Sequence, residues 1–118
     1  MTNLPNIKII ETLTNREQLR SLTHPDFGGM VKAVVDLDRK IMAVGGELHA
    51  DEEAVLLENG SQQQNLWGIN LYLDKELLDM VEFDSMINIR PSQNNRSRGV
   101  ENETVRQQII DTVKILIK

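Results

Sequence analysis

The spacing of apolar and polar positions changes period several times along the chain, and each change marks an element. Ile7, Ile9, Ile10 and Leu13 are interrupted by Lys8 and Glu11, the pattern of a short strand from Ile7 to Leu13, read here as an edge. Thr14-Asn15-Arg16-Glu17 has capping-box spacing, with the Thr14 hydroxyl accepting from the Glu17 amide and the carboxylate reaching back. A short helix to about Leu22 should follow. His24-Pro25-Asp26-Phe27-Gly28-Gly29 ends it, because proline lacks an amide donor and glycine frees the backbone. Met30 to Leu37 and Lys40 to Gly46 are aliphatic at odd and even positions alike, which predicts a hairpin of central strands covered on both faces. The polar link from Asp36 to Lys40 supplies its turn, and Gly45-Gly46 ends the second strand.

Ala50 to Asn59 reads as a helix, with Asp51, Glu52 and Glu53 in the first turn, Ala54 and Leu57 facing inward, and Gly60 as a left-handed C-cap. Asn65 to Leu73 alternates: Trp67, Ile69, Leu71 and Leu73 share one face, and Leu66, Gly68, Asn70 and Tyr72 share the other. Asp74 to Asp79 is a charged connection. Met80 to Arg90 alternates again, with Val81, Phe83, Ile87 and Ile89 opposite Glu82, Asp84, Asn88 and Arg90, and is expected to pair with the preceding strand. Glu101 to Lys118 is the strongest helix pattern: Val105, Ile109, Val113 and Leu116 form a stripe widened by Ile110 and Ile117. The order β-α-β-β-α-β-β-α predicts an α+β, two-layer domain: a mainly antiparallel four- to five-stranded sheet with helices packed on it. With 118 residues the chain is expected to form a single domain, residues 1–118.

Composition narrows the chemistry. There is no cysteine, so disulfides, zinc-thiolate sites and thiol nucleophiles are excluded. Four aromatics, Phe27, Trp67, Tyr72 and Phe83, leave an aliphatic core and argue against a stacking surface for single-stranded nucleic acid. The net charge of −5 works against nucleic acid and anionic membranes as partners. The N-terminus lacks a signal-peptide pattern and no apolar run spans a bilayer, so the expected location is cytoplasmic and prokaryotic. No phosphate-binding glycine loop or nucleophile elbow occurs, and no cofactor is expected.

Three stretches, AVGGELHAD (43–51), LWGINLY (66–72) and INIRPSQNNRS (87–97), resemble an uncharacterised prokaryotic family, the domain-of-unknown-function family 5674. The resemblance runs from the first hairpin to the last helix. It implies a natural stand-alone domain with no assigned activity, so it supplies no catalytic residue.

Candidate chemistry concentrates in residues 86–99, MINIRPSQNNRSRG. Arg90, Arg96 and Arg98 together with Gln93, Asn94 and Asn95 suit an anion, since guanidinium groups grip phosphate or carboxylate in a fork. A solvated connector whose arginines meet surface acids is the plainer reading. Asn70 and Asn88 sit mid-strand, where asparagine is disfavoured, so their face is either wet or lines a pocket or subunit contact. His49, flanked by Glu47 and Asp51, is a candidate general base, against a plain role at the start of a helix capped by Asp51. His24 lies in a turn, and Trp67 suits the core. The leading expectation is a non-enzymatic binding or interaction module, itself a homo-oligomer, that takes a small anionic ligand or a partner through Asn70, Asn88, Arg90, Asn94, Asn95 and Arg96. The alternatives are a small hydrolase or lyase using His49 and Glu47 with Arg90 or Arg96, and a structural subunit of a homo-oligomer.

Overall fold

The computed structural model describes residues 7–23 and 27–118; His24 lies outside them. Five strands form one antiparallel sheet in the order β1-β3-β2-β4-β5. They are β1 (Lys8–Ile10), β2 (Met30–Asp36), β3 (Ile41–Val44), β4 (Leu66–Tyr72) and β5 (Val81–Glu82). The helices are α1 (Arg16–Arg20), α2 (His49–Glu58), α3 (Leu77–Met80) and α4 (Glu103–Leu116). The α+β class with an antiparallel sheet is therefore as the pattern predicts.

The unbroken aliphatic runs of β2 and β3 are explained by two clusters on opposite faces of the sheet. On one face Val31, Ala33, Val35, Met42, Val44, Trp67, Ile69, Leu71 and Leu73 pack against Leu19 of α1 and Ile109, Val113 and Leu116 of α4. On the other, Val34, Ile41, Ala43 and Leu66 pack against Leu56 of α2. Helices thus cover the sheet from both sides, and β2, at its centre, contributes to both clusters. The β2–β3 hairpin is closed by Asp36, whose Oδ1 accepts from the amides of Asp38 (2.9 Å) and Arg39 (3.0 Å).

Several local expectations are corrected. The cap of α1 is Asn15, which accepts from the Gln18 amide at 2.8 Å, while the Thr14 hydroxyl donates to the Gln18 side chain at 2.6 Å. Helix α2 begins one residue early, and Leu48 rather than Asp51 occupies its N-cap position. It buries His49, Glu52 and Leu56, leaving Ala54 and Leu57 exposed. The reason is that the three buried residues recur at helical spacing on the sheet side, including two polar ones that an apolar stripe cannot reveal. Helix α4 ends at Leu116, and Ile117 instead forms a parallel bridge to Thr14.

The largest correction is at Met80–Arg90. Only Val81 and Glu82 pair with β4, opposite Leu71 and Asn70. The chain then leaves the sheet, makes a 3₁₀ turn at Met86–Asn88, and carries Ile87 over to the α2-side cluster while Phe83 stays with the α4 side. Residues 83–101 form a strap across the outer edge of β4.

Candidate functional site

Two glycine and asparagine positions build the strap. Gly68 in β4 has no side chain, and a Cβ there would sit 2.5 Å from the Ser85 hydroxyl and 2.6 Å from its Cβ. That gap lets the strap lie directly on the strand. Asn88 then replaces the missing ladder partner: its Oδ1 accepts from the Gly68 amide (2.8 Å), and its Nδ2 donates to the Gly68 carbonyl (2.9 Å) and the Arg98 carbonyl (3.0 Å). A side-chain amide has the same donor and acceptor pair as a peptide group, so it can cap a strand edge.

Asn95 works in the same way inside the loop. Its Nδ2 donates to the carbonyls of Asn88 (2.7 Å), Ser97 (3.2 Å) and Gly99 (2.8 Å), and its Oδ1 accepts from the Glu101 amide (2.9 Å). Arg90 and Asn95 exchange backbone bonds of 2.7 and 3.1 Å, and Asn94 turns the corner at φ 60°. The Arg90 guanidinium is buried. It donates to the Gln63 carbonyl at 2.5 Å and to the Leu66 carbonyl, and stacks 4.2 Å from the Trp67 ring. The amides of Arg96 and Ser97 already hold an anion, the Glu101 carboxylate, at 2.7 and 2.9 Å. Those bonds keep the Glu101 carboxyl below its ordinary range. In this structure, then, Asn88, Arg90 and Asn95 meet in one network directed at their own backbone. Asn94 and Arg96 are exposed on the loop.

Asn70 lies on the neighbouring part of the sheet. Its Nδ2 donates to Glu82 Oε1 at 2.8 Å, and Glu82 also accepts from the Tyr72 hydroxyl at 3.1 Å. Asn70 Oδ1 is buried and accepts no hydrogen bond.

Where the strap passes the start of α2 it leaves a cleft of about 250 Å³, lined by Lys32, Leu48, His49, Ala50, Ser85, Met86, Ile87 and Arg98. This is more than the roughly 150 Å³ that accommodates a benzene ring in an engineered cavity. Lys32 comes from β2, in register with Asn70. Arg98 is oriented by Asp84, its Nε 2.7 Å from the carboxylate. Leu48 cannot cap α2 with its side chain; its carbonyl takes the Asp51 and Glu52 amides, and the His49 and Ala50 end of the helix, which lines the cleft, has no side-chain cap. The His49 Nε2 lies 2.7 Å from the Ile69 carbonyl. A carbonyl only accepts, so the proton is on Nε2 and Nδ1 carries a lone pair. Burial lowers the His49 pKa to about 4, with Lys32 and Arg98 adding to the effect, and the ring is neutral near pH 7.

His49 therefore shares a cleft with one arginine of the loop, Arg98. The Ile69 carbonyl, not Glu47, orients its ring, and Glu47 is exposed on the surface. Lys32 and Ser85 were not singled out from sequence as part of this site. The available signal was Lys32 itself, a charge inside the aliphatic run MVKAVV that must face whichever helix covers that side. Among the described residues no group of three or more His, Asp or Glu side chains is placed to hold a metal ion, and no helix is long and apolar enough to cross a membrane.

No curated protein and no solved structure matches the chain. The family model described as a protein of unknown function, DUF5674, matches residues 8–116. With the strap, the cleft and the whole sheet inside that span, the chain belongs to the DUF5674 family.

Proposed function

We propose that the protein is a binding module for a small anion, and that the anion sits in the cleft between the start of α2 and the strap. The observation that carries this reading is the convergence of Lys32, Arg98 and the uncapped first turn of α2 on one concavity. Each favours negative charge by a separate mechanism: an ammonium point charge, a planar guanidinium fork, and backbone amides at the positive end of a helix. Asp84 takes only part of the Arg98 fork, its carboxylate accepting from Nε at 2.7 Å. The exposed Asn94 and Arg96 stand outside the cleft lining; in this proposal the neutral Asn94 has no part and Arg96 contributes only to the long-range field.

The test is thermal unfolding with increasing inorganic phosphate, for the wild type and for Lys32→Ala, Arg98→Ala and Arg96→Ala. At a hundred times Kd a bound anion adds about 2.7 kcal/mol, which raises Tm by on the order of 10 °C. The shift should shrink in the Lys32 and Arg98 variants and persist in the Arg96 variant. Equal shifts in all four proteins would place the anion elsewhere, and the absence of any shift for phosphate, sulfate and short carboxylates would remove the proposal.

A further inference from the structure

The cleft carries more chemistry than anion attraction requires. His49 is only 7% exposed, and it lines the cleft. Its Nε2 is taken by the Ile69 carbonyl at 2.7 Å, so Nδ1 is the ring nitrogen left to accept a bond. The cleft thus offers one fixed neutral acceptor beside two cations. Its rim is apolar: Leu48 is 60% and Met86 65% exposed, with Ile87 next to them.

Resting on the anion reading above, we propose that the ligand is a small hydroxy acid with an apolar side chain. Its carboxylate faces Lys32 and Arg98, its hydroxyl donates to His49 Nδ1, and its hydrocarbon part lies against Leu48, Met86 and Ile87. An acceptor lone pair in a half-closed site selects for a donor, because a ligand without one leaves the nitrogen desolvated and unpaired. The donor is a neutral hydroxyl and not an ammonium, because Lys32 and Arg98 act on the ring as nearby positive charges, and the single carboxylate opposing them, Asp84, is engaged on Arg98 Nε. The apolar rim excludes a bare oxyanion as the best fit, since such an ion would leave Leu48 and Met86 in water.

The experiment compares 2-hydroxy-4-methylpentanoate with 4-methylpentanoate, which differ only in the hydroxyl. Binding is followed by calorimetry, and the His49 Nδ1 resonance by 15N NMR of the wild type. The hydroxy acid is expected to bind about three- to tenfold more tightly, the range of one hydrogen bond. The Nδ1 resonance should move upfield with the hydroxy acid alone, as it does on accepting a bond. His49→Leu removes the acceptor at this position and should bring the two affinities together. Because the resonance is read in the wild type, the result does not depend on that variant folding. Equal affinities with an unmoved Nδ1 signal would overturn the hydroxyl assignment and leave the anion site standing. If neither acid binds while phosphate still raises Tm, the hydroxy-acid assignment falls and the anion site stands; if phosphate fails as well, both fall.

Discussion

At the scale of single residues, the polar side chains under α2 decide how the protein responds to pH. Glu52 is fully buried, with Oε2 accepting from the Gly46 amide at 2.9 Å and Oε1 unpartnered. Burial pushes its carboxyl well above the ordinary range, the Gly46 bond opposing this only in part. The folded state therefore keeps a proton that the unfolded chain releases above the usual carboxylate pKa. Stability contributed by this group falls as pH rises from there toward the folded-state value. Glu52→Gln retains the shape and an acceptor for Gly46 without the ionisation. Its Tm is expected to exceed the wild type at pH 8, by the equivalent of about 1 kcal/mol or more, with the advantage shrinking at pH 5. A lower Tm at pH 8 would mean that the carboxylate is ionised and stabilised by its surroundings. Gly46 belongs to the same arrangement, since a Cβ there would lie 2.9 Å from Glu52 Cγ.

At the scale of elements, the strap explains why alternation misleads between Met80 and Arg90. The apolar spacing is present, but only Val81 and Glu82 pair. Beyond them the edge of β4 at Gly68 is satisfied by the Asn88 amide, which has no periodic signature because it acts through a side chain. Asn88→Ala would leave the Gly68 amide and carbonyl unpaired in a buried position, while the Arg98 carbonyl keeps the Ser85 amide at 2.9 Å. The expected loss is on the order of 3 kcal/mol in urea unfolding. Asn88→Asp should fare little better, because a carboxylate cannot donate to the two carbonyls. A loss under about 0.5 kcal/mol in both would show that water replaces the amide at the edge. The same element accounts for the fate of the arginine-rich loop. Its amides hold Glu101, and Arg90 is folded under Trp67, so the cationic group it leaves at the cleft is Arg98.

At the scale of the molecule, the sheet is stabilised from two sides, and α2 brings two buried titratable groups, His49 and Glu52, to one of them. For His49 the folded-state pKa of about 4 lies below the ordinary imidazole value of 6.5. Above pH 6.5 the ring is neutral in both states and its contribution is complete. As pH falls from 6.5 the unfolded chain takes up a proton first, and stability declines until about pH 4, by roughly 3 kcal/mol in all. Urea unfolding between pH 7 and 4 should show this acid-side slope in the wild type and a shallower one in His49→Gln. Equal slopes would assign the acid sensitivity to carboxylates elsewhere. With Glu52 acting in the opposite direction, the whole domain should be most stable in mildly acidic to neutral solution.

The residue pattern alone determined the class of fold, because strand and helix periods follow from which side chains avoid water: the two aliphatic strands, the alternating Leu66–Tyr72 and the stripe from Val105 to Leu116 all form the elements expected. It also picked out Asn88, Arg90, Asn95 and His49 as residues out of keeping with their surroundings. What those residues do was decided by the tertiary structure. Hydrogen bonds join Asn88 to Gly68 and Arg90 to Gln63 across 20 and 27 positions of chain, and no local pattern records such a pairing. The cleft has the same origin: Lys32, His49, Ser85 and Arg98 are far apart in sequence and become neighbours only when α2 and the strap settle on the same face of the sheet.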